Sequence, residues 1–280
     1  MSSGAEQPIN SFNVVDAVTI LVGVGLFARW LLQTSLGREA LVLSKPRRNC
    51  MAFYLPFGVF VVWLLLQFPA VAVGNGKTWQ GLFERTIVGS LSSLATVGII
   101  LAVARFAFAR GLKGLGLRLR TAPRDLGLAF LTLWAVWPLV LAAMSLTFLV
   151  TKKLYGHEYQ IPQHEALKLL TESAAIPLQV ALAIMAILIA PLVEELLFRG
   201  LFQTMIRSYL RRPWPAIVLA SLLFAAIHED RSHWPSLFVL ALGLGYAYES
   251  SGSLLRPIFM HALFNGINIV NALTQPPGGV

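Results

Sequence analysis

The sequence predicts an all-α, polytopic integral membrane protein, and three observations support this fold class. The 280-residue chain is 56% hydrophobic but only 12% charged, whereas soluble domains carry about 25% charged residues. Its apolar residues form runs long enough to span a bilayer as helices. Its Lys and Arg residues collect in alternate connections between these runs, as expected of cytoplasmic loops. The net charge of +9 is therefore attributed to membrane topology, and no nucleic-acid partner is predicted.

About eight segments are predicted to span the bilayer, since ~20 helical residues cross its ~30 Å hydrocarbon core. The first follows a polar lead that contains Glu6, so it is predicted to be a retained helix and not a signal peptide. The run that begins at Ala174 is expected to stay helical as far as Leu210. The predicted spans are Phe12–Leu32, Ala52–Val73, Ile87–Ala109, Leu126–Val150, Ala174–Phe198, Trp214–His228, Pro235–Glu249 and Leu255–Leu273.

The basic loops indicate how the chain is oriented and divided. They follow the first, third and fifth segments, so the positive-inside rule places these loops in the cytoplasm and both termini outside it. The third-to-fourth connection, 111–124, is basic and amphipathic and is expected to be a solvated loop at an anionic leaflet. The polar residues that are candidates for a functional site all follow this connection. Residues 1–125 are thus predicted to form an N-terminal transmembrane region, and 126–280 a core that carries the chemistry.

Two adjacent carboxylates, Glu194 and Glu195, end the apolar run 174–193. An ionisable residue in hydrocarbon is costly, so it is usually paired or functional. Arg199 follows Glu195 at the i+4 spacing that favours an ion pair on a helix. Glu194 lies about 100° further round the helix and has no such partner. Glu194 is therefore the carboxylate that a structural role alone does not explain.

His228 is predicted to lie at the same depth as Glu194 on a neighbouring helix. The two residues are about 18 and 15 positions from the turn near Arg211–Pro213, which places each ~22–27 Å from it. Phe198 and Phe224 are predicted to lie at equal depth, one helical turn closer to the turn between the two helices, and to support the site. An imidazole beside a buried carboxylate is a candidate functional pair.

His261 and Asn265 lie four residues apart and share one face of the last segment. A polar stripe must face protein or water, so one cavity is expected to hold them with Glu194 and His228. A carboxylate beside a histidine can deprotonate water and later protonate a leaving amine. Neighbouring His and Asn donors can stabilise an oxyanion by ~3–4 kcal/mol each. Hydrolysis of an amide by water is therefore predicted, and Cys50, which has no histidine near it in sequence, is not a predicted nucleophile.

Two alternatives follow from the same residues. Glu194, His228 and His261 could ligate zinc, with water in the fourth position. Their spacing is not that of His-Glu-x-x-His and Asn265 is a poor ligand, so a mechanism with no cofactor or metal is favoured and zinc stays possible. A transporter also keeps Glu and His in the membrane, but it would show repeated halves or broken helices, and the sequence shows neither.

The three polar motifs together resemble those of the CPBP family of intramembrane proteases, which includes CAAX proteases of the Rce1 type and bacteriocin-processing enzymes of the Abi type. The family patterns are Glu-Glu-x-x-x-Arg, Phe-x-x-x-His and His-x-x-x-Asn. This sequence has EELLFR at 194–199, FAAIH at 224–228 and HALFN at 261–265. The stretch 243–257 is also similar, and the resemblance covers 174–273.

The resemblance implies an intramembrane endopeptidase in a prokaryotic cytoplasmic membrane. Its partners would be the lipid bilayer and a lipidated or membrane-anchored peptide or protein, cleaved near its membrane-associated or C-terminal end. Glu194 and His228 would activate water, while His261 and Asn265 would form the oxyanion hole. Residues that hold the site together would be Glu195 and Arg199. A non-catalytic immunity or scaffold protein is an alternative that the loss of a motif residue would favour, and none is lost.

Overall fold

Long apolar runs fold as helices because hydrocarbon offers backbone N–H and C=O groups no other partners. The computed structural model of the protein describes residues 14–74, 76–156, 165–228 and 230–274, which are mostly helical and include no strand. Among these described residues, four helices are long and apolar enough to cross a membrane: Leu55–Ala72, Trp79–Ala107, Leu112–Tyr155 and Ile176–Leu210. Two shorter apolar helices are Ala17–Gln33 and Pro213–Ala226. The predicted all-α, multi-pass integral membrane protein is confirmed, without a fixed number of spans.

The helices agree with the predicted segments to within a few residues at most boundaries. The predicted start of the first segment at Phe12 lies outside the described residues. The largest difference is the helix Trp79–Ala107, which begins eight positions before Ile87, because Thr78 caps it by accepting a hydrogen bond from the N–H of Gly81. The helix Glu165–Glu172 was not predicted. The helices are α1 (Val14–Gln33), α2 (Leu55–Ala72), α3 (Trp79–Ala107), α4 (Leu112–Leu115), α5 (Ala122–Tyr155), α6 (Glu165–Glu172), α7 (Ile176–Leu210), α8 (Pro213–Ala226), α9 (Trp234–Ser251) and α10 (Leu255–Thr274).

The basic connections meet at one end of the helix bundle, which we call the basic end. Arg207, near the end of α7, donates to the carbonyl of Ser44 in the α1–α2 connection at 3.3 Å. The Leu254 N–H, between α9 and α10, donates to the carbonyl of Gly116 at 3.0 Å. The basic end carries Arg38, Lys45, Arg47, Arg48, Arg110, Lys113, Arg118, Arg120, Arg124, Arg207, Arg211 and Arg212.

The expectation of a solvated loop at 111–124 is wrong for its centre. Leu115 is completely buried, and its carbonyl accepts a hydrogen bond from the hydroxyl of Tyr248 at 2.9 Å. The close approach depends on Gly116, which has φ of +102° and would carry a Cβ within 2.8 Å of the carbonyl oxygen of Gly252. The segment is therefore packed into the α9–α10 turn, although Arg118 and Arg120 at its surface remain exposed.

The long helix α7 widens twice from α-helical to π-helical geometry, at Met185–Ile189 and at Leu196–Gln203. In the first widened turn the N–H of Ala190 donates to the carbonyl of Met185, five residues back. The next N–H in that pattern would belong to residue 191, which is proline and has none. Such widened turns are frequent at functional sites, and here the pair Glu194–Glu195 lies between the two.

The second widened turn of α7 is fastened to α9 by polar side chains spaced one helical turn apart. Arg199 donates to the carbonyl of Ala241 at 3.1 Å, and Gln203 donates to the carbonyl of Gly245 at 3.1 Å. A Cβ at Gly245 would lie within 2.8 Å of the Gln203 side chain, so glycine permits this approach. Because both members advance by four residues, α7 and α9 run parallel. This attachment fixes the helix that carries the two glutamates.

Candidate active site

Glu195 lies at the centre of a buried ionic cluster. Its carboxylate is 3.1 Å from Nε of Arg199, which confirms the spacing argument for an ion pair, and both side chains are fully buried. The second carboxylate oxygen is 3.0 Å from Nδ1 of His261 on α10. An ionised carboxylate only accepts hydrogen bonds, so His261 donates its Nδ1–H to Glu195. Glu195 therefore links the motif on α7 to the motif on α10, a contact that the sequence did not predict.

Glu194 faces the opposite nitrogen of the same imidazole. Its Oε2 is 3.9 Å from Nε2 of His261, which is beyond hydrogen-bond distance. Glu194 Oε2 is buried and has no hydrogen-bond partner among the described residues, although 16% of the side chain is exposed. A buried polar oxygen without a partner carries a free-energy cost of about 1–3 kcal/mol. The Glu194 side chain is thus partly accessible to solvent, and its Oε2 accepts no hydrogen bond from the described residues.

The ring of Phe224 on α8 is the common neighbour of both histidines. Its centroid is 4.9 Å from that of His228 and 5.7 Å from that of His261. Phe198 meets it edge-on at 5.3 Å, which confirms that the two phenylalanines come level. The guanidinium of Arg199 lies 4.7 Å from the Phe224 centroid, in cation–π geometry. One aromatic ring therefore holds the three motifs at a common depth.

His228 lies just beyond the last residue of α8, at the start of the connection to α9. Its Nδ1 is 2.8 Å from the carbonyl of Phe224, four residues back, and can donate to it. Its own carbonyl accepts a hydrogen bond from the indole N–H of Trp234 at 2.8 Å. The backbone and the ring of His228 are thus both held, although the helix that presents them has ended. Sequence reasoning missed Trp234, because it acts through a hydrogen bond to His228 across the connection between α8 and α9.

Asn265 makes a hydrogen bond to the backbone of another helix. Its Nδ2 donates to the carbonyl of Ala186 in the first widened turn of α7 at 2.7 Å. In a π-helical turn, the N–H of residue 191 would donate to this carbonyl, but residue 191 is a proline and has no N–H. The carboxamide nitrogen of Asn265 carries two N–H bonds, and this contact uses one. Pro191 is visible in the sequence three residues before Glu194, and a proline within a predicted span was the signal that could have indicated a widened helix.

The polar stripe predicted on the last segment divides between two environments. His261 contacts Glu195 and Phe224, whereas Asn268 donates to the carbonyl of Phe264 within its own helix at 3.0 Å. Phe264 packs against Trp137 of α5 with ring centroids 5.7 Å apart. The stripe therefore faces protein, and its part nearest the basic end faces the glutamates.

The zinc alternative requires three of these side chains to converge. Within residues 14–74, 76–156, 165–228 and 230–274, no group of three His, Cys, Asp or Glu side chains is arranged to hold a metal ion. Nδ1 of His261 contacts Glu195 and Nδ1 of His228 contacts the carbonyl of Phe224, so Nε2 is the nitrogen of each ring that could ligate a metal. The mechanism proposed below uses groups of the chain alone, and the zinc alternative is tested separately.

Comparison with known proteins identifies the region that carries these residues. The family model of the type II CAAX prenyl endopeptidase Rce1-like family matches residues 176–267, a range that includes all three motifs. Residues 176–267, about a third of the chain, carry this match to the Rce1-like family. The chain is also 28% identical over 150 residues to the membrane-embedded CAAX protease MroQ of Staphylococcus aureus (strain USA300), covering 51% of this chain and 59% of that protein. The predicted family is confirmed by these two findings.

A second relative is an uncharacterised 24.3 kDa protein of Escherichia coli, 30% identical over 128 residues, or 44% of this chain and 58% of that protein. The chain thus spans somewhat under two thirds of the length of each of these relatives. No solved structure matches the chain. Both relatives are bacterial, which supports the predicted prokaryotic membrane. The Rce1-like match begins at the first residue of α7 and ends in α10, so the residues before it contribute helices that the family match does not cover.

Proposed function

We propose that the protein is an intramembrane endopeptidase that uses Glu194 to activate water. The observation that carries the proposal is the position of the Glu194 carboxylate beside the imidazole of His261. Glu194 Oε2 is buried, has no hydrogen-bond partner among the described residues, and lies 3.9 Å from His261 Nε2. The Rce1-like match over 176–267 supports peptide-bond hydrolysis as the reaction.

Water would be activated by Glu194 with His228. The carboxylate takes a proton from water as the water oxygen attacks the carbonyl carbon of the scissile bond, and it later passes that proton to the leaving amine. His228, held by Phe224 and Trp234, would orient the water from the end of α8. No serine or cysteine is assigned as nucleophile, so no covalent intermediate forms on the chain.

His261 and Asn265 would stabilise the oxyanion that the attack creates. With Nδ1–H donated to Glu195, the Nε2 of His261 becomes a donor when the ring is protonated. The carboxylate of Glu195 would hold the ring in place through its hydrogen bond to Nδ1. Asn265 would contribute the N–H that its contact with Ala186 leaves available. Fixed donors of this kind favour the transition state because they need no reorganisation during the reaction.

The substrate is proposed to be a lipidated or membrane-anchored peptide, cleaved near its membrane-associated or C-terminal end. The aromatic rings that surround the site, Phe198 and Phe224, make its walls apolar. An anchored substrate shares the bilayer with the site, so partitioning raises its local concentration and reduces the entropic cost of binding.

The test uses purified protein in liposomes with two peptides that share one cleavage sequence, one carrying a lipid or transmembrane anchor and one without it. Cleavage of the anchored peptide is expected to be faster, and the Glu194→Gln variant is expected to cleave neither. Equal rates for the two peptides would remove the anchored-substrate proposal. Undiminished cleavage by the Glu194→Gln variant would remove the mechanism.

Mass spectrometry of membrane proteins can then search for natural substrates. Cells with wild-type protein are compared with cells that carry Glu194→Gln at equal abundance. New peptide termini that depend on Glu194 and lie next to a membrane anchor are expected. Identical termini in the two samples would count against an endopeptidase.

A further inference from the structure

A cavity at the basic end lies far from the glutamates and has its own buried, unused donor. It has a volume of about 490 Å³ and lies between the α1–α2 connection and the turn from α7 to α8. This volume falls in the range of pockets that hold small ligands. Four arginines line it: Arg38, Arg207, Arg211 and Arg212.

Arg207 is the buried member of this group. It is 5% exposed, and its Nε donates to Glu249 at 3.0 Å while Nη2 donates to the carbonyl of Ser44 at 3.3 Å. Its Nη1 is buried and has no hydrogen-bond partner among the described residues. The hydroxyl of Ser44, which also lines the cavity, is buried without a partner as well. Arg207 and Ser44, two residues that line the cavity, thus each keep one buried donor without a partner among the described residues.

The charge around the cavity strongly favours an anion. Glu249 is the counter-ion of Arg207, but it also lies 3.9 Å from Arg47, so two arginines share one carboxylate. The exposed Arg38, Arg211 and Arg212 add three further positive charges at the rim. Guanidinium groups pair with phosphate oxygens through two parallel hydrogen bonds. A hydroxyl donor beside several such groups suits an oxyanion with three or more acceptor atoms.

The aromatic residues beside the cavity are of the kind found at the level of lipid headgroups. Trp214, in its wall, stacks on Tyr246 with ring centroids 6.1 Å apart, and Tyr246 accepts a hydrogen bond from the indole of Trp30 at 2.7 Å. Trp and Tyr gather at membrane–water interfaces, where an apolar body and a polar tip are both satisfied. Apolar residues also line the cavity: Leu41, Val42, Pro213 and Pro215. A ligand with a phosphate group and an apolar tail matches these surroundings.

We propose that this cavity binds the phosphate group of an anionic ligand, with Arg207 Nη1 and the Ser44 hydroxyl as inner donors and Arg38, Arg211 and Arg212 at the rim. The phosphate comes from the headgroup of an anionic phospholipid or from a soluble phosphate. The anionic cytoplasmic leaflet is the side that attracts basic segments, and the positive-inside rule places the basic end there. The site is independent of peptide-bond hydrolysis.

The experiment measures binding to the purified full-length protein after removal of bound lipid in an uncharged detergent. The probes are short-chain phosphatidylglycerol, short-chain phosphatidylcholine, inorganic phosphate and sodium chloride at matched ionic strength. Native mass spectrometry counts bound molecules, and thermal unfolding reports stabilisation. One phosphatidylglycerol per chain is expected to bind with saturation and to raise the Tm, and phosphatidylcholine is expected to bind more weakly.

Two matched double variants decide where the ligand binds. Arg38→Gln with Arg212→Gln removes two exposed rim charges, so folding is not at issue. Arg118→Gln with Arg120→Gln removes the same charge from exposed positions at the same end but outside the cavity. The rim pair is expected to weaken phosphatidylglycerol binding by roughly tenfold to thirtyfold, because each basic residue near an anionic lipid contributes to affinity. The control pair is expected to have little effect.

Each outcome has a defined meaning. Loss of binding in the rim pair alone supports the lipid site. Competition by inorganic phosphate, with equal stabilisation and the same sensitivity to the rim pair, supports the phosphate site with a soluble source. Equal weakening by the control pair would show diffuse attraction to the basic end and would overturn the proposal. Equal affinity for phosphatidylcholine, or the absence of saturable binding, would also overturn it.

Discussion

Asn265 on α10 and Pro191 on α7 are complementary, since one supplies the hydrogen bond that the other cannot. The first widened turn of α7 leaves the carbonyl of Ala186 facing a proline nitrogen without a hydrogen, and Nδ2 of Asn265 donates to that carbonyl at 2.7 Å. The contact joins two helices at the point where one of them lacks a backbone hydrogen bond. A residue that the sequence assigned only to the oxyanion hole therefore also has a structural task.

The first prediction tests this complementarity by a double-mutant cycle. Asn265→Leu leaves the Ala186 carbonyl without its partner and is expected to lower the free energy of unfolding by about 1–3 kcal/mol. In a Pro191→Ala background, residue 191 has an N–H that can donate to the Ala186 carbonyl, so Asn265→Leu is expected to lower the free energy of unfolding by less. Thermal or denaturant unfolding in detergent measures the free energy of unfolding in each background. Strictly additive losses would contradict the linkage, and Asn268→Leu, which disturbs only a contact within α10, is the control.

The second prediction separates the two adjacent glutamates. Glu194→Gln removes the acceptor that is proposed to take a proton and is expected to abolish cleavage, with a Tm near that of the wild type. Glu195→Gln leaves both Arg199 and His261 without their buried counter-charge and is expected to cost about 3–5 kcal/mol of stability. Activity in liposomes and unfolding in detergent are measured on the same preparations. Glu172→Gln, at an exposed ion pair on α6, is expected to change neither quantity.

An unstable Glu194→Gln variant together with a stable Glu195→Gln variant would reverse the assignment of the structural and the chemical carboxylate. The two residues differ in sequence by one position, so a comparison between them controls for general effects of mutation in this turn of α7.

The third prediction concerns metal. If groups of the chain alone activate water, purified active protein is expected to contain no stoichiometric zinc and to keep its activity through prolonged chelation. Elemental analysis and the anchored-peptide assay measure the two quantities. One zinc per chain, lost with activity on chelation and recovered with it on adding zinc, would establish the metal-dependent alternative, with Glu194, His228 and His261 as its candidate ligands.

The fourth prediction concerns Asp125, which joins α5 to the start of α10. This buried carboxylate accepts hydrogen bonds from Ser253 at 2.6 Å and from Arg256 at 3.3 Å. Asp125→Ala leaves these donors unpaired and is expected to lower the free energy of unfolding by about 1–3 kcal/mol. Unfolding in detergent is the measurement, and Arg124→Ala at the exposed neighbouring position is the control. Equal effects of the two substitutions would show that the contact contributes little.

The same contact bears on the predicted division at residue 125, which stays a prediction. A fragment that begins at residue 126 lacks Asp125, and it also lacks Leu115 and Gly116, which contact Tyr248 and Leu254. Such a fragment is expected to be less stable than the whole chain. A fragment with the stability of the full protein would show that the core folds without these contacts.

Helix positions were predictable because length, hydropathy and loop charge act through local sequence. The common depth of Phe198 and Phe224 followed from counting residues on either side of one tight turn. The Glu195–Arg199 pair followed from helical spacing. All of these depend on one element or on two elements joined by a short connection.

The partners of His261 and Asn265 could not be predicted in the same way. Both contacts cross between α7 and α10, which are separated by two other helices, and they depend on a departure from regular helical geometry. The burial of Leu115 was missed because a basic, glycine-rich segment has the composition of a surface loop. Its packing depends on Gly116 approaching the α9–α10 turn, and composition carries no information about that neighbour.

The length of α8 has a consequence for how water reaches the glutamates. Its 14 residues span about 21 Å, which is less than the ~30 Å of a hydrocarbon core. With its start near the interface at Trp214, the helix ends at Ala226 before it has crossed, and His228 lies beyond its end within the hydrocarbon region. Backbone beyond a helix end persists at membrane depth only where protein or water satisfies it. On the proposed mechanism, we expect water to reach Glu194 at this shortfall, from the face opposite the basic end, without crossing lipid.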